Sequence, residues 1–109
     1  MNRLEAKNYN SAPMKYFYVY ILASKRNGTL YTGSTDDIGN RVWEHKTKMR
    51  KGFTATYDVD RLVWYEAHGT RDSALTRERQ IKEWKRAWKI RLIEEMNADW
   101  NDLYETLNQ

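Results

Sequence analysis

The sequence contains no cysteine, and several kinds of chemistry are therefore excluded. Without thiols the chain cannot form a disulfide, a thiolate zinc site or a cysteine nucleophile. It also lacks any apolar run close to the roughly 18 residues that a membrane-spanning helix needs. Residues 1–13 contain no apolar stretch of the kind found in a secretory signal. We therefore expect a cytoplasmic protein without a membrane partner.

The composition is that of a small globular protein with a basic surface. The chain has 109 residues, enough for one domain, and 40% of them are hydrophobic, including five Trp and eight Tyr. A net charge of +4 favours acidic partners, of which nucleic acid is the commonest. The alternative is an ordinary basic protein without such a partner.

The hydrophobic pattern predicts an α+β fold with the element order ββαβα(α). A run of seven β-forming residues, 16–22, indicates a strand covered on both faces and therefore central in its sheet. An Asn27-Gly28 turn predicts a hairpin with the next strand. We expect strands at 16–22, 30–34 and 61–67, helices at 38–51 and 73–96, and a loop at 53–60. The result is a central three-stranded antiparallel sheet flanked by helices.

Three segments follow from this pattern. Residues 1–13 are polar and without periodicity, so we expect a flexible lead-in. Residues 14–96 form the predicted domain, with Gly52 ending the first helix and a break near Trp88 in the second. Residues 97–109 are a tail predicted to pack on the domain through Trp100, Leu103, Tyr104 and Leu107.

Glu78 interrupts a stripe of the second helix that should be apolar. Ala74, Glu78 and Ile81 share one face, because positions i, i+4 and i+7 align on a helix. An unpaired buried carboxylate costs several kcal/mol, so Glu78 must meet a cation, a metal ion or an open cleft. The alternative is a structural ion pair with Arg77, Lys82 or Arg41.

Arg41 and His45 form a polar pair at the edge of the apolar face of the first helix. Arginine presents a fixed fork of donors that suits phosphate, and histidine exchanges protons near neutral pH. The alternative is a solvated helix flank with a hydrogen-bonded histidine.

Tyr20 and Tyr31 lie on strands that the predicted hairpin joins. A hairpin loop of two or four residues places both phenols on one face of the sheet, whereas an odd-length loop separates them. The alternative is that both side chains only pack, since tyrosine is common in strands.

Basic and aromatic residues alternate on and after both helices. Such surfaces suit the backbone and bases of nucleic acid, although charge runs are usually solvated helix faces. The two clusters comprise Arg41, Lys46, Lys48, Arg50, Lys51, and Arg77, Arg79, Lys82, Lys85, Arg86, Lys89, Arg91.

The ordered set of these features resembles the GIY-YIG nuclease family. The family's two motifs fall on Tyr18-Val19-Tyr20 and Tyr31-Thr32-Gly33. The arginine that the family carries on its helix falls on Arg41, and the Tyr or His one turn later falls on His45. The family's metal-binding glutamate falls on Glu78. The closer likeness is to the small, stand-alone bacterial members, over about residues 16 to 106. Three positions depart from the pattern: Tyr18 replaces a glycine, Ser34-Thr35 stands where some relatives have a lysine, and Lys89 or Ile90 where some have an asparagine.

The resemblance implies hydrolysis of a DNA phosphodiester with Mg²⁺, or Mn²⁺, bound at Glu78. Arg41 would hold the phosphate, and Tyr20 or Tyr31 would activate water with help from His45. Which phenol is the base stays open.

The substrate contacts are less specific. We assign them to Ser34, Lys46, Lys48, Lys51 and Lys89. No recognition helix or zinc finger is evident, so we expect cleavage of single-stranded, branched or damaged DNA by a monomer, in DNA repair or processing. RNA and an oligomer stay open. The alternative functions are a nucleic-acid-binding module that does not cleave and a protein-interaction domain.

Overall fold

The computed structural model describes residues 15–107, so the predicted lead-in 1–13 lies outside the described residues. The elements are β1 (Phe17–Ala23), β2 (Leu30–Thr35), α1 (Ile38–Lys46), α2 (Phe53–Thr56), β3 (Arg61–His68), α3 (Arg71–Glu83), α4 (Arg86–Met96) and a 3₁₀ turn (Leu103–Thr106). The strands form one antiparallel sheet in the order β2-β1-β3. The predicted α+β class and the central position of the first strand are confirmed.

The β1–β2 register places both phenols on one face of the sheet. Leu22 pairs with Tyr31 and Tyr20 with Gly33, and the Ser24 N–H donates to the Thr29 carbonyl at 3.0 Å to close the turn. This is the register of a four-residue loop. Since alternate residues share a face, Tyr20 and Tyr31 point the same way.

Each face of the sheet carries its own core. On one face, α3, α4 and Trp100 cover Val19, Ile21 and Val63. On the other, α1 covers Tyr20 and Leu22. The sheet is therefore the middle of three layers, and β2, at its edge, faces both helical layers.

The first long helix is shorter than predicted. It ends at Lys46 rather than near Lys51, because the Thr47 hydroxyl donates back to the Trp43 carbonyl at 2.9 Å and Lys48 adopts a left-handed φ of 58°. Gly52, at φ 110°, precedes the short helix α2 instead of ending α1. The predicted loop 53–60 thus begins with a helical turn.

The second helical region breaks at Trp84 and Lys85, not near Trp88. Both residues have extended backbone, with ψ of 153° and 150°. Ile81 and Ile93 are completely buried in the same core. In one continuous helix they would differ by about 120° in direction, so the break is what lets both face the sheet.

The segment after α4 is built into the domain. Trp100 is completely buried, and its indole N–H donates to a Glu94 carboxylate oxygen at 2.7 Å. The Leu62 backbone N–H donates to Asp102 at 3.2 Å, which attaches this segment to β3. Leu103, Tyr104 and Leu107 pack on the α1 side. Across residues 15–107, no helix is long and apolar enough to cross a membrane.

Candidate active site

The edge strand β2 connects groups from both helical layers. Its side chains alternate between the faces, so Tyr31 lies on the α1 side and Ser34 on the α3 side. A pocket of about 90 Å³ opens beside this strand, lined in part by Ser34, Arg41 and Arg71. A small polar ligand at this edge could therefore meet residues of α1 and α3 together.

Three rings form a cluster on the α1 side. The ring centroids lie 6.3 Å apart for Tyr20 and Tyr31, 5.6 Å for Tyr31 and His45, and 6.2 Å for Tyr20 and His45. Tyr20 is completely buried, whereas Tyr31 is only partly buried. Of the two phenols, Tyr31 is the one that solvent reaches.

His45 joins this cluster to α2. Its Nε2 lies 3.4 Å from the Tyr20 hydroxyl and its Nδ1 lies 2.9 Å from the Thr54 hydroxyl. Burial, followed by the Arg50 and Arg41 charges, lowers the pKa of His45 below 6.5. The imidazole is therefore neutral at pH 7, with one donor nitrogen and one acceptor nitrogen.

Tyr20 stays protonated beside His45 at neutral pH. Burial and the neighbouring Tyr31 raise the pKa of Tyr20 to about 12, against the opposing influence of Arg41. Tyr20 thus keeps its proton. Its hydroxyl and that of Thr54 are the hydrogen-bond partners of Nε2 and Nδ1, so the imidazole is held at both nitrogens.

Arg41 projects from α1 towards the end of β2. Its Nη1 donates to the Ser34 carbonyl at 3.4 Å, and its Nε lies 3.4 Å from a Glu44 oxygen that Arg50 also approaches at 3.4 Å. The Arg41 side chain is 29% exposed. Its guanidinium is therefore anchored at one edge and open to a ligand at another.

Glu78 reaches the same strand from α3. The Ser34 hydroxyl donates to its Oε1 at 2.6 Å, and the Lys82 ammonium lies 2.5 Å from its Oε2. The ion pair with Lys82, one of the alternatives drawn from the sequence, is present, while Arg77 pairs with Glu66 at 3.0 Å. The Glu78 side chain is 15% exposed, so the carboxylate lies in a cleft and not in the core.

The sequence of this chain matches that of a known protein family. The family model for the GIY-YIG catalytic domain matches residues 16–91, a range that contains all five catalytic candidates. The chain belongs to the GIY-YIG family.

Its relatives within the family are small proteins. A UPF0213 protein of Haloquadratum walsbyi is 40% identical over 80 residues, which cover 73% of this chain and 89% of that protein. A UPF0213 protein of Staphylococcus saprophyticus is 37% identical over 82 residues, covering 75% and 99%. The solution NMR structure of the UPF0213 protein BH0048 from Bacillus halodurans superposes with a TM-score of 0.51 at 28% identity, covering 80% and 92%. The likeness to small, single-domain GIY-YIG proteins and the predicted fold are thus confirmed.

The donor set at the GIY-YIG site fits a sparsely held cation. Among residues 15–107 there is no group of three or more His, Asp or Glu side chains that could enclose a metal ion. Glu78 offers one carboxylate, which forms an ion pair with Lys82. The Lys82 side chain is 50% exposed, so solvent can take the place of this ion pair. Mg²⁺ accepts such sites because it retains water ligands and binds phosphate oxygens. Glu78 is the residue that would hold the ion.

The residues assigned to substrate contacts lie in four places. Ser34 is at the site, where its hydroxyl binds Glu78. Lys46 pairs with Asp102 and donates to the Asp60 carbonyl at 3.0 Å, so it helps to hold the C-terminal segment. The other lysines are Lys48, paired with Asp58 at 2.6 Å, Lys51, exposed after α1, and Lys89, part-buried on α4.

Two further residues shape the site and were not assigned a role from the sequence. Thr54 holds His45, and a threonine in a predicted loop gave no sequence signal for this contact. Gly33 lies against Tyr20: a Cβ at position 33 would come within 2.6 Å of the Tyr20 hydroxyl and 3.1 Å of the Tyr31 ring. This close approach explains a glycine in the second motif, because a side chain there would displace both phenols.

Proposed function

We propose that this protein is a metal-dependent endonuclease that hydrolyses DNA phosphodiester bonds. The observation that carries the proposal is the meeting of two phenols, a neutral imidazole, a guanidinium and a carboxylate along one edge strand. Membership of the GIY-YIG family supports nuclease chemistry at this place. Such groups can activate water, hold a phosphate and bind a cation.

The two phenols take different parts in this proposal. Tyr31 is accessible and is the phenol that accepts the proton of the attacking water. Tyr20 is a positioning residue, because its buried hydroxyl orients His45 beside Tyr31. A phenol has an ordinary pKa of about 10 and accepts a proton only when ionised, so the rate should rise with pH.

Arg41 and Glu78 act on the phosphate from opposite sides of β2. Arg41 donates to a non-bridging oxygen, where negative charge builds as water attacks. Glu78, oriented by the Ser34 hydroxyl, is the residue that would hold the divalent ion in place of Lys82. Mg²⁺ or Mn²⁺, when bound, supplies charge stabilisation for the leaving oxygen.

The proposed substrate is single-stranded or branched DNA, in repair or processing. The net charge of +4 and the exposed rings of Phe53 and Tyr57 suit unpaired bases on a charged backbone. Incubation with labelled single-stranded, duplex and branched DNA, each with Mg²⁺, Mn²⁺ or EDTA, tests this directly. We expect metal-dependent cleavage with a preference for the substrates that contain unpaired bases. Absence of cleavage from every substrate with either metal would contradict the proposal.

A second candidate is a nucleic-acid-binding domain that does not cleave. The observation in its favour is that both Glu78 oxygens already have partners, Ser34 and Lys82, as in a structural ion pair. Binding without cleavage of any substrate in the same experiment would favour this candidate.

A further inference from the structure

Two aromatic rings lie exposed on the helical turn that holds His45. Phe53 is 50% exposed and Tyr57 is 57% exposed, and their ring centroids are 4.9 Å apart. They are four residues apart, with Tyr57 directly after the last residue of α2, and therefore lie on the same side of this helical turn. Large apolar side chains exposed together usually mark a binding surface.

This pair is coupled to the candidate active site through one side chain. Thr54 lies between the two aromatics in sequence, is buried, and contacts Nδ1 of His45 at 2.9 Å. The same turn of helix thus presents rings to solvent on one side and positions the imidazole on the other. A ligand resting on the rings would therefore lie on the same helical turn whose Thr54 holds His45.

The charge around the rings identifies the kind of ligand. The segment 47–57 contains three cations, Lys48, Arg50 and Lys51, of which Lys48 pairs with Asp58 and Arg50 with Glu44. Lys51 is exposed and has no ion pair within residues 15–107. Aromatic rings bordered by cations suit a base attached to a phosphate backbone, because the rings stack on the base while the cations meet the phosphates. An apolar protein surface would gain nothing from these cations.

We propose that Phe53 and Tyr57 form a stacking platform for an unpaired nucleobase, on the helical turn that holds His45. This inference rests on the proposed function and makes it more specific. A base within an intact duplex stacks on its neighbours and cannot lie on the rings. The platform therefore selects single-stranded DNA, or the unpaired bases at a branch or end.

The experiment measures equilibrium binding of fluorescent single-stranded and duplex oligonucleotides in EDTA, so that cleavage plays no part. The variants are the double substitution Phe53→Leu with Tyr57→Leu, the conservative Phe53→Trp, and Trp88→Leu as a control. Trp88 is 47% exposed on α4, outside the platform. Thermal melts of each variant show whether it is folded.

We expect the double substitution to weaken single-strand binding about tenfold or more, the scale of losing one or two stacked bases, with little effect on duplex binding. Phe53→Trp should preserve single-strand binding, and Trp88→Leu should change neither affinity. Equal losses on both oligonucleotides, or no loss on the single strand, would overturn the platform while leaving the proposed nuclease intact. A parent protein that binds neither oligonucleotide would overturn both.

Discussion

Tyr20 and Tyr31 carry the same functional group on the same face of the sheet, but only Tyr31 is accessible to solvent. Burial and Tyr31 raise the pKa of Tyr20 to about 12, so at neutral pH Tyr20 keeps its proton and its hydroxyl lies 3.4 Å from Nε2 of His45. The sequence placed both phenols together and could not choose between them. The choice depends on solvent exposure, which follows from how α1 covers the sheet.

Phe at position 31 should lower the cleavage rate by about 10² or more, the usual scale for losing a general base. The parent rate should rise with pH into the mildly alkaline range, and the Tyr31→Phe profile should lose that rise. Tyr20→Phe should cost less and keep the rise, because Tyr20 does not ionise there. Single-turnover pH–rate profiles of the three proteins test this assignment. Near-parent rates for Tyr31→Phe would make Tyr31 a packing residue.

Gly33 should not tolerate even a methyl group. The Cβ of Gly33→Ala would lie 2.6 Å from the Tyr20 hydroxyl, so the phenol must shift away from His45. We expect a stability loss of about 1–3 kcal/mol, typical of overpacking, together with a large loss of cleavage. Urea denaturation and cleavage assays measure the two effects. Gly39→Ala is the control, since nothing lies within 4 Å of a Cβ there. Normal activity in Gly33→Ala would show that the position of the phenol is unimportant.

Sequence periodicity was sufficient to predict the residues of the candidate site that interrupt an apolar pattern. Glu78 stands out on its helix in this way, and the two phenols follow from the hairpin register. Thr54 and Gly33 give no such signal, because a buried threonine and a strand glycine are both ordinary. Their importance comes from contacts that form only when α2 and β2 meet the same imidazole and phenol.

At the scale of elements, the end of α1 was predicted incorrectly for a reason visible in the backbone. The residues after Lys46 are good helix formers, and Gly52 is a typical stop. The chain nevertheless leaves the helix at Thr47, whose hydroxyl bonds back to Trp43, and Lys48 takes φ 58°. Propensity was overridden by the local backbone turn at Thr47 and Lys48, which the helix-forming tendency of the following residues does not reveal.

Lys48→Gly should stabilise the protein. A non-glycine residue in the left-handed region costs about 1–2 kcal/mol, and glycine removes most of that cost although it adds freedom to the unfolded chain. The exposed ion pair with Asp58 contributes little. We expect a net gain of up to about 1 kcal/mol in urea denaturation. A clear loss of stability would mean that the Lys48–Asp58 pair fixes the turn after α1.

At the scale of the whole molecule, the C-terminal segment completes the core. Trp100 is completely buried against residues of the sheet, α3 and α4. Its removal in Trp100→Ala should cost about 3–5 kcal/mol, a large part of the 5–15 kcal/mol typical of a domain. Trp88→Ala, at a half-exposed position, should cost far less. Circular dichroism during urea unfolding compares them, and equal small losses would show that the core does not depend on this segment.

The site is also a property of the whole molecule, since β2 lies between α1 and α3 and brings Arg41 and Glu78 to one edge. The account therefore predicts that one carboxylate on α3 controls chemistry at phenols on the opposite face of the sheet. Loss of its charge should abolish cleavage without unfolding the protein or releasing the DNA. If Glu78 only formed a structural ion pair, loss of its charge would lower stability and leave cleavage by the folded protein unchanged.

The most direct test is single-turnover cleavage of labelled single-stranded DNA by the parent and by Glu78→Gln. The substitution keeps the shape of the side chain and an oxygen for the Ser34 hydroxyl, and removes only the charge. The account predicts that the parent cleaves with Mg²⁺ or Mn²⁺ and not with EDTA, while folded, DNA-bound Glu78→Gln does not cleave. Cleavage by Glu78→Gln at the parent rate, or cleavage by the parent in EDTA, would contradict it.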